Sequence, residues 1–550
     1  MKTFELAKTP LRRRVRSSPL QRCVFGTSAV LGLAGLSALA TLACGPATPP
    51  SDGGGSGGAV SGTGGTTGTP GSGGSQPVGT GGAGHGVSTG GSPGAGGNVN
   101  PGTGGAPPGG GDLDDFTIVP CTVTTSLSAV SPEMGTVGTI EFSTDLAGAT
   151  GGFIQFGKTT DYTLEAPIDW AAANHRTLLL GMTSQAEWHY RIVVTAGQNA
   201  CTGPDTTLMT EALPNGGPPT QVTPTPGTST AASAEGFIVA GGGIGGLGSW
   251  AFILNTEGEV VWAHEFQMAG GGGGFGGAGI TRAKLSWDGK TFLARDVNVD
   301  GNTGAGNLFK VNLDGTGEET IALDTSHHDF TVIPGGIAYL AKAGSADGCD
   351  AVHTANEDGT DDQVVIDLGP VLEPFPLPDG GGLPSTGGCH ANAIHYYADE
   401  QAYTVSDRER DMLVKVSAAG DVLWTIGNSP ATITGADIPE WRVQHGHHLY
   451  DPEHLLVFSN GELTGGTSHV LHFTISGTTA TPDWNYSGMG STGTLGDVQK
   501  LPNGNVLITT SQIGTIQEID ENNVLIKEMK FTSLGYTHYR PTLYGEPAPR

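Results

Sequence analysis

Between residues 233 and 545 the chain keeps repeating one pattern: an apolar strand, a Gly or Asn turn, and a second apolar strand. Residues 251–262 show it plainly. It recurs around Gly315, Gly359, Gly420, Gly477 and Asn522-Asn523, at intervals of 57, 44, 61, 57 and 46 residues from Gly258 onward. A second pattern is interleaved, a turn followed by a single apolar strand. Its instances are Asp288-Gly289 before 291–293, Pro334-Gly335-Gly336 before 337–340, and Pro502-Asn503-Gly504 before 506–508. Two hairpins per interval make about four strands, and no helical period of useful length occurs. One such unit cannot bury its apolar faces alone, so the units must stack. Six units at this spacing predict an all-β fold, a six-bladed β-propeller over residues 233–545. A seven-bladed ring or an irregular solenoid is the competing arrangement.

What precedes the repeat divides by composition. Residues 113–212 hold short alternating runs bounded by Gly, Asn, Asp or Pro, the pattern of a small β-sandwich. A Pro/Thr-rich joint, 213–232, follows. Residues 51–112 contain 28 Gly in 62 positions, two charges and no aromatic, too little apolar surface to offset ordering entropy. Residues 44–112 therefore read as a Gly/Ser/Thr-rich linker. Residues 1–43 carry seven basic side chains and one acid, then an uncharged apolar run from Val24 to Ala43, and read as an export signal. The run ends in Thr41-Leu42-Ala43-Cys44-Gly45, similar to a bacterial lipobox although Thr41 departs from the usual Leu. The expectation is a lipid on Cys44 and a membrane-anchored, exported lipoprotein at the periplasmic face or cell surface, most naturally at the outer membrane. Cleavage as an ordinary signal peptide near Ala43 is the alternative.

Charge and cysteine use fit that compartment. Without residues 1–43 the chain keeps 18 basic and 52 acidic residues, a net charge of −34. Such acidity repels nucleic acid, which is excluded as a partner. Four cysteines remain, and pairing Cys121–Cys201 and Cys349–Cys389 is the expected choice among three connectivities, with free thiols the alternative.

Of 16 histidines, 12 lie between His327 and His538. His328, His390 and His445 stand at nearly the same point of the same strand in three successive repeats, where flanking repeats carry Arg282 and Asp497. Equivalent points of successive blades circle the central channel, so these imidazoles should converge. They could ligate a metal, act as nucleophile and acid/base, or hold an oxyanion. Arg408, in Ser406-Asp407-Arg408-Glu409-Arg410, adds a permanently charged fork of donors, which favours a tetrahedral oxyanion. A surface ion pair with Glu409 or Asp411 is its other reading.

Ser326-His327-His328-Asp329-Phe330, His390-Ala391-Asn392-Ala393-Ile394, Ser406-Asp407-Arg408 with Lys415, and Gln444-His445 with Phe458-Ser459-Asn460-Gly461 resemble, in order, the motif series of the bacterial arylsulfotransferases. Residues 421–427 and 501–505 are similar to that family's framework segments. The resemblance spans about 233–545 and implies a small β domain ahead of a six-bladed propeller. It also implies sulfuryl transfer from an aryl sulfate donor to a phenolic acceptor through a sulfated histidine, with no nucleotide donor and no required cofactor. On this resemblance His445 matches the nucleophile. His328, His390 and Arg408 match the groups that hold sulfuryl oxygens and handle the phenol proton. His327, Asn392, His447 and His448 are expected around the substrate, His327 competing with His328. Asn392-Ala393, Asp407, His447 and His448 depart from the family pattern and bear on substrate identity.

One further motif, Asp296-Val297-Asn298-Val299-Asp300-Gly301, copies the start of a calcium loop, making Asp296, Asn298 and Asp300 candidate ligands of a structural calcium. Asn307 stands where a bidentate Glu would close such a loop, so an Asx-rich turn competes. The glycine-rich stretch 270–279 reads as a rim insertion. Two other functional classes stay open at this point: a surface binding module without activity, and a metal-dependent hydrolase or lyase using the histidines.

Overall fold

The computed structural model describes residues 113–218, 222–243, 249–267, 279–296, 306–343, 348–377, 388–461 and 466–548. The signal segment, the linker with Cys44, Asn298, Asp300 and residues 270–278 of the rim insertion lie outside them. Within them the chain is almost wholly β, with only three-residue 3₁₀ turns and one four-residue helix, Gly369–Leu372.

Six antiparallel sheets form the propeller. Blade 2 is built in chain order from Ile280–Leu285, Thr291–Asp296, Gly306–Asn312 and Glu319–Leu323. Blades 3, 4, 5 and 6 follow the same plan, with innermost strands Ser326–Ile333, Ala391–Tyr397, His447–Asp451 and Asp497–Lys500. Blade 1 is closed by both ends of the propeller sequence. Its innermost strand, Thr537–Arg540, pairs antiparallel with Phe237–Gly241, joining Val239 to His538 and Ile238 to Tyr539. A second closure was not expected. Thr225–Pro226, inside the segment read as a joint, adds a fifth, outer strand to blade 6. A proline is tolerated there because an outer edge asks for fewer backbone donors.

The turn residues explain why the repeat was visible. Gly258, Gly315, Gly359, Gly420, Gly477 and Asn523 all have φ between +59° and +89°, the left-handed region that these two residue types enter at low cost. Each joins the third and fourth strands of its blade, counted from the channel. Between blades, apolar side chains interdigitate; Leu340 and Val352 of blade 3 pack with Ile394, Val405 and Val414 of blade 4.

The innermost strands carry a shared irregularity. Register shifts occur at Ile280/Arg282 in blade 2, Ser326/Phe330 in blade 3 and Ala391/Ala393 in blade 4. A bulge leaves residues unpaired and re-aims their side chains. It falls where the polar residues of the channel stand, and His328 adopts a φ of +54° in it.

Residues 117–209 form two sheets, one of six strands and one of three, enclosing Ile140, Phe142, Phe156, Trp188 and Ile192. Met134, Val137 and Leu180 of this sandwich continue into a core with Trp262 and Phe292 of the propeller. The disulfides are Cys121–Cys201 within the sandwich and Cys349–Cys389 between blades 3 and 4, with Cα atoms 5.9 and 5.2 Å apart.

Candidate functional site

His445 is held by groups that decide which of its nitrogens bears the proton. The residue before it, Gln444, donates from Nε2 to Asp407 O (2.8 Å), Met412 O (2.9 Å) and Ser406 Oγ (3.2 Å), tying the entry to blade 5 against blade 4. Its own amide then donates to Phe458 O at 3.0 Å. Asn460 spends its amino group on Thr492 O (2.9 Å) and Leu495 O (2.7 Å). Its Oδ1 therefore faces His445 Nδ1, at 2.6 Å, as an acceptor. Val443 O lies 3.2 Å from the same nitrogen. Nδ1 must carry the proton, which leaves the lone pair on Nε2, and Nε2 has no hydrogen-bond partner among the described residues. Burial, and then the charge of Arg408, lowers the pKa to about 3, so the ring is neutral.

A chain of contacts runs into the channel from blade 3. Asp350 receives Lys342 Nζ (2.7 Å) and His327 Nε2 (3.1 Å). Burial works against the Asp350 carboxylate, but His327 and Lys342 outweigh it and hold its pKa below the usual range. His327 Nδ1 meets His328 Nδ1 at 3.0 Å, and His328 Nε2 meets His390 Nε2 at 3.0 Å. Two ring nitrogens at that distance share one proton between them. Burial, followed by neighbouring positive groups, lowers the pKa of both His328 and His390 well below normal. The pair therefore stays neutral and can accept a proton. His327 and His328 thus take different places: His328 faces the channel and His327 braces it against Asp350.

Arg408 closes the cluster. Its Nη1 lies 3.4 Å from His390 Nε2 and its Nη2 3.6 Å from Glu409 Oε1. Its buried Nε has no acceptor among the described residues. Arg408 stands at the histidines, and its ion pair with Glu409 is buried rather than on the surface. Asp407 accepts the amide of His390 (2.8 Å), and burial raises its pKa to about 7. It is an anchor for the strand bearing His390.

Below the histidines lies a buried ionic floor. Arg282 donates to Asp329 (2.7 and 3.0 Å), Asp497 (2.7 Å) and Thr537 O (2.9 Å), with its guanidinium 4.2 Å from the ring centre of Tyr536. Tyr536 in turn donates to Asn392 O at 2.7 Å and lies near His445, ring centres 6.5 Å apart. Neither Tyr536 nor Asp350 stood out in the sequence. Tyr536 had no repeat position to mark it, and Asp350 was masked by its neighbour Cys349.

The structure brings His328, His390 and Arg408 into contact and puts His445 within their electrostatic reach. Asn392 lies beside them, its Nδ2 on Gln444 O (2.8 Å) and its buried Oδ1 without a partner among the described residues. His447 and His448, expected around the substrate with His445, turn elsewhere. His447 Nε2 pairs with Thr404 Oγ1 at 2.7 Å, and His448 Nδ1 accepts from Lys500 N at 3.0 Å. They sit on the innermost strand of blade 5, where successive side chains point to opposite sides. Asp296 accepts from both the amide and the Nδ2 of Asn307 (3.1 and 2.6 Å), so the first and twelfth positions of the calcium-like motif bond each other across a hairpin of blade 2. No group of three or more His, Cys, Asp or Glu among the described residues is arranged to hold a metal ion.

Among solved structures, the chain is similar to a periplasmic gluconolactonase of Pseudomonas aeruginosa, at 12% identity over 71% of this chain and 99% of that one, with a TM-score of 0.31. A virginiamycin B lyase of Staphylococcus aureus matches at 13% identity over 56% and 88%, TM-score 0.33. A protein of unknown function from Bacteroides caccae matches at 12% over 55% and 98%, TM-score 0.37. No curated protein matches the chain. The resemblance read from the ordered motifs is met by the family comparison: residues 385–532, which hold His390, Asn392, Arg408, His445 and Asn460, match the arylsulfotransferase (ASST) family.

Proposed function

We propose that the protein is an aryl sulfate sulfotransferase, exported and tethered to a membrane through lipidated Cys44. It moves a sulfuryl group from a phenolic sulfate ester to a phenol through His445. One observation carries this reading: a buried, neutral imidazole whose Nδ1 is locked as donor, so that Nε2 offers its lone pair beside an under-bonded guanidinium.

In the first half-reaction His445 Nε2 attacks the sulfur of the donor. An N–S bond forms and the S–O(aryl) bond breaks. The phenolate leaves with the electron pair of that bond, and the neutral His328–His390 pair stands beside it. Sulfuryl transfer spreads negative charge over three oxygens, and Arg408 supplies donors aimed at it, each worth roughly 3–4 kcal/mol in comparable oxyanion sites. Positive charge that develops on the sulfated ring is met by Asn460 Oδ1 and Val443 O at Nδ1. In the second half-reaction the acceptor phenol yields its proton to the same imidazole pair. Its oxygen then takes the sulfur, and the electron pair of the N–S bond returns to Nε2. The N–S bond made in the first half-reaction is the bond broken in the second, which suits a shuttle between two phenols.

The test is to mix the protein with 4-nitrophenyl sulfate without acceptor, quench and digest. A peptide containing His445 should carry the added sulfuryl mass, and a phenol added before quenching should remove it. Undiminished turnover by His445→Ala would end the proposal.

A further inference from the structure

The ionic floor leaves room for a second chamber on its other side. Along the innermost strands, Lys284 follows Arg282 by two residues, Gln499 follows Asp497 by two, His395 follows His390 by five, and His538 follows Tyr536 by two. At roughly 3.3 Å per strand residue these side chains stand a further 7–17 Å down the channel. They line a cavity of about 210 Å³, together with His448, Lys500, Trp287, Tyr396 and Tyr539.

Three nitrogen groups there have no partner among the described residues. Lys284 is 3% exposed, yet its ammonium makes no ion pair or hydrogen bond among the described residues. His395 Nε2 and His538 Nδ1 are buried without a partner as well. Burial first, and then the charge of Arg282, lowers the pKa of Lys284 to about 8, while burial keeps both imidazoles neutral. Asp329 and Asp497 favour the ammonium from the floor, but no acceptor among the described residues bonds it, and the groups around it are those that an acid group would satisfy. The ammonium repels a metal cation. Trp287 and Tyr396, edge to face at 5.9 Å, provide an aromatic wall, and the lone carboxylate of the lining, Glu546, is exposed.

We propose that this chamber binds an aromatic acid, with its carboxylate or sulfate head on Lys284, His395 and His538 and its ring against Trp287 and Tyr396. None of these five residues takes part in the transfer described above, so the inference stands apart from that reading.

Benzoate, which has no phenolic oxygen to sulfate, is the probe, with inorganic sulfate as the head group alone. Calorimetric titration of the full chain should give one benzoate site that binds more tightly than sulfate. Lys284→Met should weaken benzoate at least tenfold, while Arg408→Met should leave it unchanged. In the wild-type protein labelled with ¹⁵N-lysine, the lysine that titrates near pH 8 should move upward when benzoate is added, because a bound anion favours the ammonium. This second reading does not depend on the variant folding. Absence of benzoate binding, affinity equal to that of sulfate, or loss of binding in Arg408→Met but not in Lys284→Met would overturn the proposal.

Discussion

At the scale of single residues, a proton's position decides what His445 can do. Asn460 has no freedom to turn its amide, because Thr492 and Leu495 hold the amino end. Replacing it by Leu removes the nearer of the two acceptors at Nδ1, leaves only Val443 O at 3.2 Å, and loosens the hold on tautomer and ring angle. Residues that orient a histidine from behind commonly account for about 10–100-fold in activity. Asn460→Leu should therefore lower kcat by about 100-fold and leave KM for the aryl sulfate nearly unchanged, as steady-state kinetics will read. The sequence already contained His445, and its repeat position pointed to the channel. It could not choose between His327 and His328, because a bulge and a positive φ, not alternation, decide which ring faces inward. His447 and His448 are instead spent on neighbouring blades, on Thr404 Oγ1 and the Lys500 amide, partners 43 and 52 residues away in sequence that leave no local mark.

At the scale of elements, the loop from blade 3 to blade 4 is fastened by Cys349–Cys389 across 40 residues of sequence. Cys389 adjoins His390, whose amide is already held by Asp407. A crosslink over such a loop stabilises by about 3–4 kcal/mol in the chain-entropy picture. The double variant Cys349→Ser, Cys389→Ser should lose about that much in urea unfolding. The loss should fall on blades 3 and 4, seen as faster amide exchange in Ala391–Tyr397 than in Phe237–Gly241. Elements were the most legible level of the sequence, since left-handed turns recur with Gly or Asn and each marks an outer hairpin. Thr225–Pro226 escaped because a two-residue strand has no period to detect.

At the scale of the whole molecule, buried histidines set the acid limit of stability. Burial is the leading cause that lowers His328, His390, His395, His445, His447 and His538 below the ordinary value of 6.5. As pH falls below 6.5 the unfolded chain takes up protons that the folded chain refuses, so stability declines until the folded values are reached. Each such group contributes about 1.4 kcal/mol per pH unit in that window. Asp407, Asp411 and Asp497, raised chiefly by burial, act the other way: they bind protons when folded, and their contribution fades as pH rises. Six groups against three leaves a net loss toward acid. The urea midpoint should drop between pH 6.5 and 4.5, and His447→Asn should flatten the slope. A midpoint that holds or rises over this range would show that these rings accept protons in the folded protein.

The innermost strand of blade 1 has a consequence in time. Thr537–Arg540 follows the strands of all five other blades in the chain, and Tyr536, which links Asn392 to Arg282, comes just ahead of it. Until they emerge, the ring is a five-and-three-quarter circle without a keystone. A nascent chain thus has His328, His390 and His445 in place and no working centre, and competence waits for the strand that closes blade 1.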